Sequence, residues 1–167
     1  NVVDILWQDT QRRVAPLGRL DRQTSGVMLL SDNPDFINNV SITEKTYYAL
    51  CLGQTPAEGK IEQPLTTDGK TQEATTLYKT SNTYRTPSGV EVSEVLATLV
   101  TGRHHQIRRH FRSIGHPVLG DYRHGYNDRN NEIQEKLGLR LRLCLQAQTL
   151  KFTWKNKPYE FTVELPP

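Results

Sequence analysis

The feature that most constrains the fold is a succession of strand patterns that only tight turns separate. The segment "TTLYKTSNTYRTPSGVEVSEVLATLV", residues 75–100, predicts a strand, a turn at 87–89 and a second strand. The segment "LKFTWKNKPYEFTVEL", residues 150–165, alternates apolar and polar residues around "KNKP" and predicts a hairpin with one buried face. Strands joined this closely pair antiparallel, because a parallel pair needs a crossover connection.

Other segments add further strands and a helix to this sheet. The apolar run "GVMLL", residues 26–30, predicts a buried strand. The segment "EKTYYALCLG", residues 44–53, is rich in aromatic and β-prone residues and predicts another. Residues 126–142 are polar and are compatible with a short helix. We therefore expect one α+β domain over residues 1–167, with a mixed, largely antiparallel sheet and flanking helices.

The segment "TGRHHQIRRHFRSIG", residues 101–115, predicts an amphipathic helix. Apolar residues recur there at helical spacing and form one stripe. The stripe consists of Ile107, Phe111 and Ile114. Thr101 is placed to cap the start of the helix, and Gly115 to end it.

Positive charge is concentrated in this part of the chain. The whole chain of 167 residues has a net charge of only +3 and a pI near 8.9, which alone does not establish a nucleic-acid partner. Residues 101–124, by contrast, are rich in histidine and have Asp121 as their only acid. Their arginines are Arg103, Arg108, Arg109, Arg112 and Arg123. A cluster of this kind is typical of a nucleic-acid-binding surface.

Composition excludes several other classes. The two cysteines, Cys51 and Cys144, lie far apart and form no Cys-x-x-Cys motif, so no disulfide framework is expected. No run approaches the ~20 apolar residues of a membrane-spanning helix, and no signal peptide opens the sequence. We expect a soluble protein of the cytoplasm.

Three side chains suited to chemistry each have an ordinary interpretation as well. Asp21, in "RLDRQTSG", precedes a predicted strand, where an acid is commonly exposed or forms a turn. Tyr47 fits a core tyrosine with its hydroxyl at the rim. Arg108 fits a solvated helix arginine with a packed stem. Residue type alone leaves both interpretations open.

The clustered histidines do not predict a metal site. The spacing of His104, His105 and His110 matches no common ligand pattern, and no nearby acid completes a set. A metal-dependent nuclease that uses these histidines is therefore the weakest alternative.

Three motifs in the same order resemble the RluA/RsuA group of RNA pseudouridine synthases. They are "RLDRQTSG", "KTYYALCLG" and "TGRHHQIR". A fourth, "GHPVLGD…HG", together with "RRH", looks most like the branch that includes tRNA pseudouridine synthase C. Gly18, directly before the first motif, is instead typical of the RsuA branch, so the branch and the RNA substrate stay open.

The resemblance implies a role for each matching residue. Asp21 matches the catalytic aspartate, Arg108 the arginine that pairs with it, and Tyr47 the tyrosine that stacks on the target base. Ile107 matches an apolar residue of the base pocket. Arg19 matches an arginine that fills the gap left by a flipped nucleotide. The RNA-binding set that we predict is Arg19, Lys45, Arg103, His105, Ile107, Arg109 and Arg112.

The implied reaction is the isomerisation of a specific uridine to pseudouridine in tRNA or rRNA, by a monomer, with no cofactor and no metal. A carboxylate suits covalent or electrostatic catalysis, and a guanidinium beside a carboxylate favours the charged form and fixes its oxygens. Addition at C6, attack at C1′ and a glycal route all stay open. The alternative is a catalytically silent RNA-binding module on the same fold.

The resemblance also implies parts that the printed sequence does not show. Relatives have an extra strand before the aspartate motif, and a longer helix between "SDNPDF" and "EKTYY". We therefore expect the printed sequence to omit residues at the N-terminus and around 36–44.

Overall fold

A computed structural model describes residues 2–86, 89–138 and 140–164 of the chain. The helices are α1 (Val2–Thr10), α2 (Pro34–Asn39), α3 (Gln106–Ser113) and α4 (Asn127–Leu137). The first strands are β1 (Ala15–Pro16), β2 (Ser25–Gly26), β3 (Leu30–Ser31), β4 (Ser41–Leu52), β5 (Glu58–Ile61) and β6 (Leu65–Thr67). They are followed by β7 (Lys70–Gln72), β8 (Thr76–Arg85), β9 (Glu91–Leu99), β10 (Leu145–Trp154) and β11 (Lys157–Thr162).

One seven-stranded sheet organises the fold. Its order is β11-β10-β4-β9-β8-β5, and every neighbouring pair along this path is antiparallel. The short strand β2 pairs parallel with β10, with Ser25 opposite Gln146. Two small ribbons, β1-β3 and β6-β7, lie outside the sheet. The predicted α+β class with a mixed, largely antiparallel sheet is therefore confirmed.

The core lies between the sheet and α3. Ile107 and Phe111 of α3 are buried in one apolar cluster with Val95 and Ala97 of β9. Phe111 also contacts Tyr78 of β8 edge-on, with ring centroids 5.3 Å apart. Burial of this face holds α3 at the sheet. The next residue of the helix after Ile107, Arg108, is therefore fixed in position.

A second apolar cluster attaches α4. Ile133 of α4 is fully buried against Leu52, Val92 and Leu119. The helix ends at Gly138, which is in the left-handed region at φ 62°. The short helix expected within residues 126–142 is thus confirmed. None of the helices among the described residues has the length and apolarity that a membrane crossing requires.

The predicted helix over 101–115 is wrong at its start. It begins at Gln106 because His105 adopts the left-handed conformation, with φ 53°, and interrupts helical geometry. Thr101 does not cap the helix. Its hydroxyl donates instead to Oε1 of Gln106 at 2.7 Å. Ile114 lies at the helix end and is 37% exposed, so the buried stripe is shorter than predicted.

The continuous strand predicted over 26–30 is also wrong, because β2 and β3 are two separate short strands. Gly26, at φ 112°, lies so close to β10 that an added Cβ would overlap the carbonyl oxygen of Ala147. The amide of Val27 donates to that same carbonyl at 2.8 Å. The chain then leaves β10, and β3 pairs with β1.

The strand predictions for 44–53 and 75–100 are confirmed by β4, β8 and β9, although turn residues 87–88 lie outside the described residues. The C-terminal hairpin is confirmed as well. Its buried face is confirmed on β10, where Leu150 and Phe152 are buried, but not on β11. All of β11 is exposed, and Phe161, 50% exposed, stacks on Phe152 of β10 with centroids 5.9 Å apart. Leu165 lies outside the described residues.

The segment 36–44 comprises the end of α2, a short connection and the start of β4. Phe36 packs edge-on against Phe152 and Trp154 at the end of β10, with centroid distances of 5.7 and 5.1 Å. Helix α2 therefore covers this part of the sheet. The expectation that residues are omitted around 36–44 stays a prediction.

Candidate active site

The position of Asp21 is fixed by the turn that precedes β2. The amide of Thr24 donates to the carbonyl of Asp21 at 2.9 Å and closes the turn. Directly afterwards, the close approach of Gly26 to β10 anchors the chain to the sheet. Asp21 consequently presents its carboxylate, which is 17% exposed, at a defined place beside the sheet.

A cavity of about 260 Å³ opens over this carboxylate, and we call it the Asp21 pocket. Four elements meet there: the turn at Asp21, strand β4 with Lys45 and Tyr47, the loop before α3, and α3 itself with Ile107 and Arg108. The structure thus brings together the residues predicted to catalyse and five of the seven predicted RNA-binding residues. These five are Arg19, Lys45, Arg103, His105 and Ile107.

Arg108 lies between two carboxylates. Its Nη1 donates to Oδ2 of Asp21 at 3.0 Å, while Nε and Nη2 donate to Asp121 at 2.7 and 2.9 Å. Burial by itself would lower the pKa of Arg108, but hydrogen bonds to Asp121 and Asp21 outweigh burial and raise it. Arg108 is therefore a fixed cation. Asp121 engages its planar fork through Nε and Nη2, and this leaves Nη1 to orient the carboxylate of Asp21.

Asp121 is one of the site residues that sequence reasoning missed. It is 1% exposed, and besides Arg108 it accepts hydrogen bonds at 3.0 Å from the amides of Arg123 and His124. Burial would raise the pKa of Asp121, but the hydrogen bonds from Arg108 and these amides outweigh burial and lower it. Its position in "GHPVLGDYRHG", the one acid of a basic stretch, was the available signal.

Gly120 explains why the loop can hold Asp121 in this place. It has φ 73°, and a Cβ there would overlap the carbonyl oxygen of Arg142. The side chain of Asn130 on α4 supports the loop by accepting from the amide of Gly120 at 3.0 Å and donating to the carbonyl of Asp121 at 3.2 Å. Backbone and helix together keep Asp121 against Arg108.

A row of histidines borders the other side of Asp21. Nε2 of His105 lies 3.6 Å from Oδ1 of Asp21, and Nδ1 of His105 lies 2.7 Å from Nε2 of His124. His104 stacks on His105 with ring centroids 3.8 Å apart. Burial lowers the pKa of His105 to about 4, although the charge of Asp21 opposes this shift. His105 is therefore neutral near pH 7 and contacts Asp21 as a polar group.

The loop before α3 is held by the side-chain amide of Gln106, which is 3% exposed. Its Oε1 accepts from the hydroxyl of Thr101 at 2.7 Å and from the amide of Arg103 at 2.9 Å. Its Nε2 donates to the carbonyl of Thr75 and the hydroxyl of Thr76, both at 2.9 Å. One buried amide thus ties the loop to β8 and places His105 at the pocket.

Tyr47 and Lys45 lie on the same face of β4, because side chains two residues apart on a strand point the same way. Burial raises the pKa of Tyr47, and the negative charge of Asp21 raises it further. The phenol of Tyr47 is therefore protonated at neutral pH. It offers a flat ring and a hydroxyl to whatever enters the pocket.

The remaining predicted RNA-binding residues differ in their surroundings. Arg19 is exposed at the pocket mouth. Nε of Arg103 donates to the carbonyl of Glu73 at 3.0 Å, and Nη2 of Arg109 donates to the carbonyl of Thr66 at 3.0 Å. Neither Arg109 nor Arg112 lines the Asp21 pocket.

Arg112 instead packs against Tyr126, the residue directly before α4. Its guanidinium lies 4.1 Å from the ring centroid of Tyr126, and it donates to the hydroxyl of that residue at 2.8 Å. Its role in RNA binding stays a prediction. Among the described residues, no group of three or more His, Cys, Asp or Glu side chains is arranged to hold a metal ion.

Histidine burial predicts lower stability in mildly acidic solution. Burial lowers the pKa of His105, His110 and His124 in the folded protein. The unfolded chain binds protons near the ordinary histidine pKa of about 6.5, whereas the folded protein does not. The free energy of unfolding therefore falls as the pH decreases from about 6.5 to about 5. Urea denaturation at about pH 7.5 and pH 5 measures this difference.

His110→Asn tests the cause. His110 is fully buried, with its ring nitrogens 2.9 Å from the hydroxyl of Thr76 and 2.9 Å from the carbonyl of Gln63. The variant should have a lower free energy of unfolding at both pH values. The difference in this free energy between about pH 7.5 and pH 5 should be smaller than in the wild type. An undiminished difference would show that buried His110 does not cause the acid sensitivity.

Comparison with known proteins places this site in a family. Residues 5–113 match the family model described as RNA pseudouridylate synthase. The tRNA pseudouridine synthase C of Haemophilus ducreyi is 31% identical over 181 residues, covering 95% of this chain and 74% of that protein. The ribosomal large subunit pseudouridine synthase C of Yersinia pestis is 32% identical over 169 residues, covering 89% of this chain and 50% of that protein.

Solved structures show the same fold. Human RNA pseudouridylate synthase domain containing 1 superposes with a TM-score of 0.79 at 22% identity, covering 96% of this chain and 72% of that chain. Human RNA pseudouridylate synthase domain containing 4 gives a TM-score of 0.71. The resemblance carried by the sequence motifs is thus confirmed, and this chain belongs to the RNA pseudouridylate synthase family.

Proposed function

We propose that this chain converts a uridine of a structured tRNA or rRNA to pseudouridine, with Asp21 as the catalytic carboxylate and with no cofactor. One observation carries the proposal. Asp21 lies in an open pocket, held by the buried cation Arg108 and lined by the ring of Tyr47. The names of relatives, a tRNA enzyme in one branch and a ribosomal enzyme in another, support both RNA classes.

The reaction is internal to one nucleotide. The bond between C1′ and N1 breaks, a bond between C1′ and C5 forms, C5 loses a proton and N1 gains one. The protein supplies a carboxylate as nucleophile or charge stabiliser, a surface that holds the detached uracil, and a route for the proton. Asp21 fills the first role because its carboxylate faces the pocket while Arg108 fixes its orientation.

The target uridine reaches Asp21 only by leaving the RNA stack, which costs a few kcal/mol. Tyr47 offsets part of this cost, because stacking of a base on an aromatic ring contributes about 1–3 kcal/mol. Arg19 is exposed at the pocket mouth, where it can occupy the space that the flipped nucleotide vacates. Arg103 lines the pocket and Arg109 lines a neighbouring cavity together with Arg19, so both suit phosphate contacts that position the RNA.

We also propose that the protein acts as a monomer in the cytoplasm. The groups that form the described pocket all come from a single chain, which supports action without a second copy. Size-exclusion chromatography coupled to light scattering measures this directly.

Tyr47→Phe separates stacking from proton transfer. We expect RNA affinity to stay within about twofold, because the ring remains, and the rate to fall by about 10²-fold or more, because positioned proton transfer contributes that much. Tyr47→Ala should weaken RNA binding as well. Single-turnover rates and filter binding on the same RNA measure the two effects. A fully active Tyr47→Phe would show that the hydroxyl takes no part in proton transfer.

The experiment that tests the function is chromatography of nucleosides from RNA treated with the protein. Unmodified tRNA and rRNA transcripts are incubated separately, digested and analysed for pseudouridine. Formation of pseudouridine in either RNA is the expected result and identifies the substrate class. RNA binding without pseudouridine in both would favour the silent binding module.

A further inference from the structure

A second cleft, which we call the arginine cleft, opens behind the turn that carries Asp21. It encloses about 640 Å³, against about 260 Å³ for the Asp21 pocket, and no residue lines both. Its main side chains are Arg22, Gln23, Tyr122, Gln134, Arg140 and Arg142. None of these residues takes part in the chemistry described above.

Neighbouring residues of the same two segments line the two cavities. In the turn closed by Thr24, Asp21 faces the Asp21 pocket, while the next residue, Arg22, lines the arginine cleft. The loop around Asp121 is divided in the same way. Asp121 binds Arg108, whereas its neighbour Tyr122 lines the cleft. A chain held in the cleft therefore passes directly beside the catalytic turn.

The cleft is a concentrated positive surface. Arg22, Arg140 and Arg142 are all exposed. No acidic side chain lines the cleft, and none of the three forms an ion pair with another described residue. Two other exposed arginines, by contrast, are paired: Arg12 with Asp32 at 3.6 Å and Arg129 with Glu132 at 3.0 Å.

The cleft also offers a flat aromatic surface on a supported loop. Tyr122 is 40% exposed. Its hydroxyl donates at 3.4 Å to Oε1 of Gln134 on α4, and that oxygen also accepts from the amide of Leu141 at 3.1 Å. Gln134 thus connects the loop that carries Tyr122 to the segment that carries Arg140 and Arg142.

We propose that the arginine cleft binds the RNA strand that flanks the target uridine, with phosphates on Arg22, Arg140 and Arg142 and a base stacked on Tyr122. The proposal rests on the proposed function for the identity of the target. A charged groove combined with an aromatic platform is the combination by which proteins bind single-stranded nucleic acid. An acidic peptide would match the arginines but would leave the ring of Tyr122 without a role.

The salt dependence of RNA binding tests the phosphate contacts. Each phosphate contact contributes about 0.7 to 0.9 to the slope of log K against log salt. The double variant Arg140→Gln/Arg142→Gln should therefore reduce the slope by about 1.4 to 1.8 and weaken binding, while the rate at saturating RNA stays unchanged. The matched control is Lys79→Gln/Arg85→Gln, which removes the same charge from exposed positions of β8. It should retain nearly the full slope.

Tyr122 tests the stacking contact. Tyr122→Ala should weaken binding about fivefold or more, whereas Tyr122→Phe, which keeps the ring, should bind as the wild type does. Thermal denaturation confirms that the variants are folded. If Arg140→Gln/Arg142→Gln has the same salt slope as the control, or if Tyr122→Ala binds RNA with wild-type affinity, the proposal that the arginine cleft binds RNA is wrong. If the wild type binds RNA but forms no pseudouridine, the proposed function is wrong. The salt slope of the arginine variants then still measures whether the arginine cleft binds RNA.

Discussion

Replacing Asp21 by asparagine should abolish pseudouridine formation while RNA still binds within about twofold of wild-type affinity. Asparagine has the same shape, and its carbonyl oxygen can accept the hydrogen bond that Arg108 now donates at 3.0 Å. It lacks the negative charge and the nucleophilic oxygen. Removal of a group of this kind lowers the rate by roughly 10³-fold or more. Nucleoside chromatography and filter binding measure the two quantities.

Asp128→Asn is the matched control, because Asp128 is exposed in the first turn of α4 and does not line the Asp21 pocket. It should leave rate and affinity unchanged. Turnover that survives in Asp21→Asn at the control level would contradict the role of Asp21.

Replacing Asp121 by alanine should both destabilise the protein and inactivate it. The substitution removes two hydrogen bonds from Arg108, at 2.7 and 2.9 Å, and leaves that buried guanidinium with Asp21 alone. Breaking a buried ion pair in this way costs about 3–5 kcal/mol of unfolding free energy. Arg108 also loses the carboxylate that orients it. The carboxylate of Asp21 is then poorly positioned, and the rate should fall by at least about 10²-fold.

Asp121→Asn distinguishes positioning from stability. The amide retains the shape and can still accept from the amides of Arg123 and His124, so the stability loss should be smaller than for alanine. It cannot offer two anionic oxygens to Arg108, so the rate should fall while the variant remains folded. Urea denaturation and single-turnover rates measure the two effects. A folded Asp121→Asn variant with wild-type rate would show that Asp121 serves stability only.

Much of the fold could be predicted because strand alternation and tight turns are local signals. The strands over 75–100 and 44–53 carry such patterns, and the structure contains β4, β8 and β9 there. The strand over 26–30 could not be predicted correctly, because its split depends on the approach of Gly26 to β10, which is a tertiary contact. The start of α3 depends in the same way on the left-handed His105.

The part of the candidate site formed by motif residues could be predicted from the sequence. Asp21, Tyr47 and Arg108 come from three distant segments, and the structure brings them together. Asp121 and Gln106 could not be assigned roles, because each acts through buried hydrogen bonds to residues that no sequence pattern pairs with it. Side-chain type reveals which groups can react, whereas their support becomes visible only once the sheet and α3 are packed.

The most direct test of the central claim is tritium release from RNA labelled at C5 of uridine, with wild type and Asp21→Asn in parallel. Isomerisation must expel the C5 hydrogen, so release should equal the pseudouridine formed. Release by the wild type and none by Asp21→Asn is the predicted result. No release from tRNA or rRNA by the wild type, or equal release by both proteins, would contradict an Asp21-dependent pseudouridine synthase.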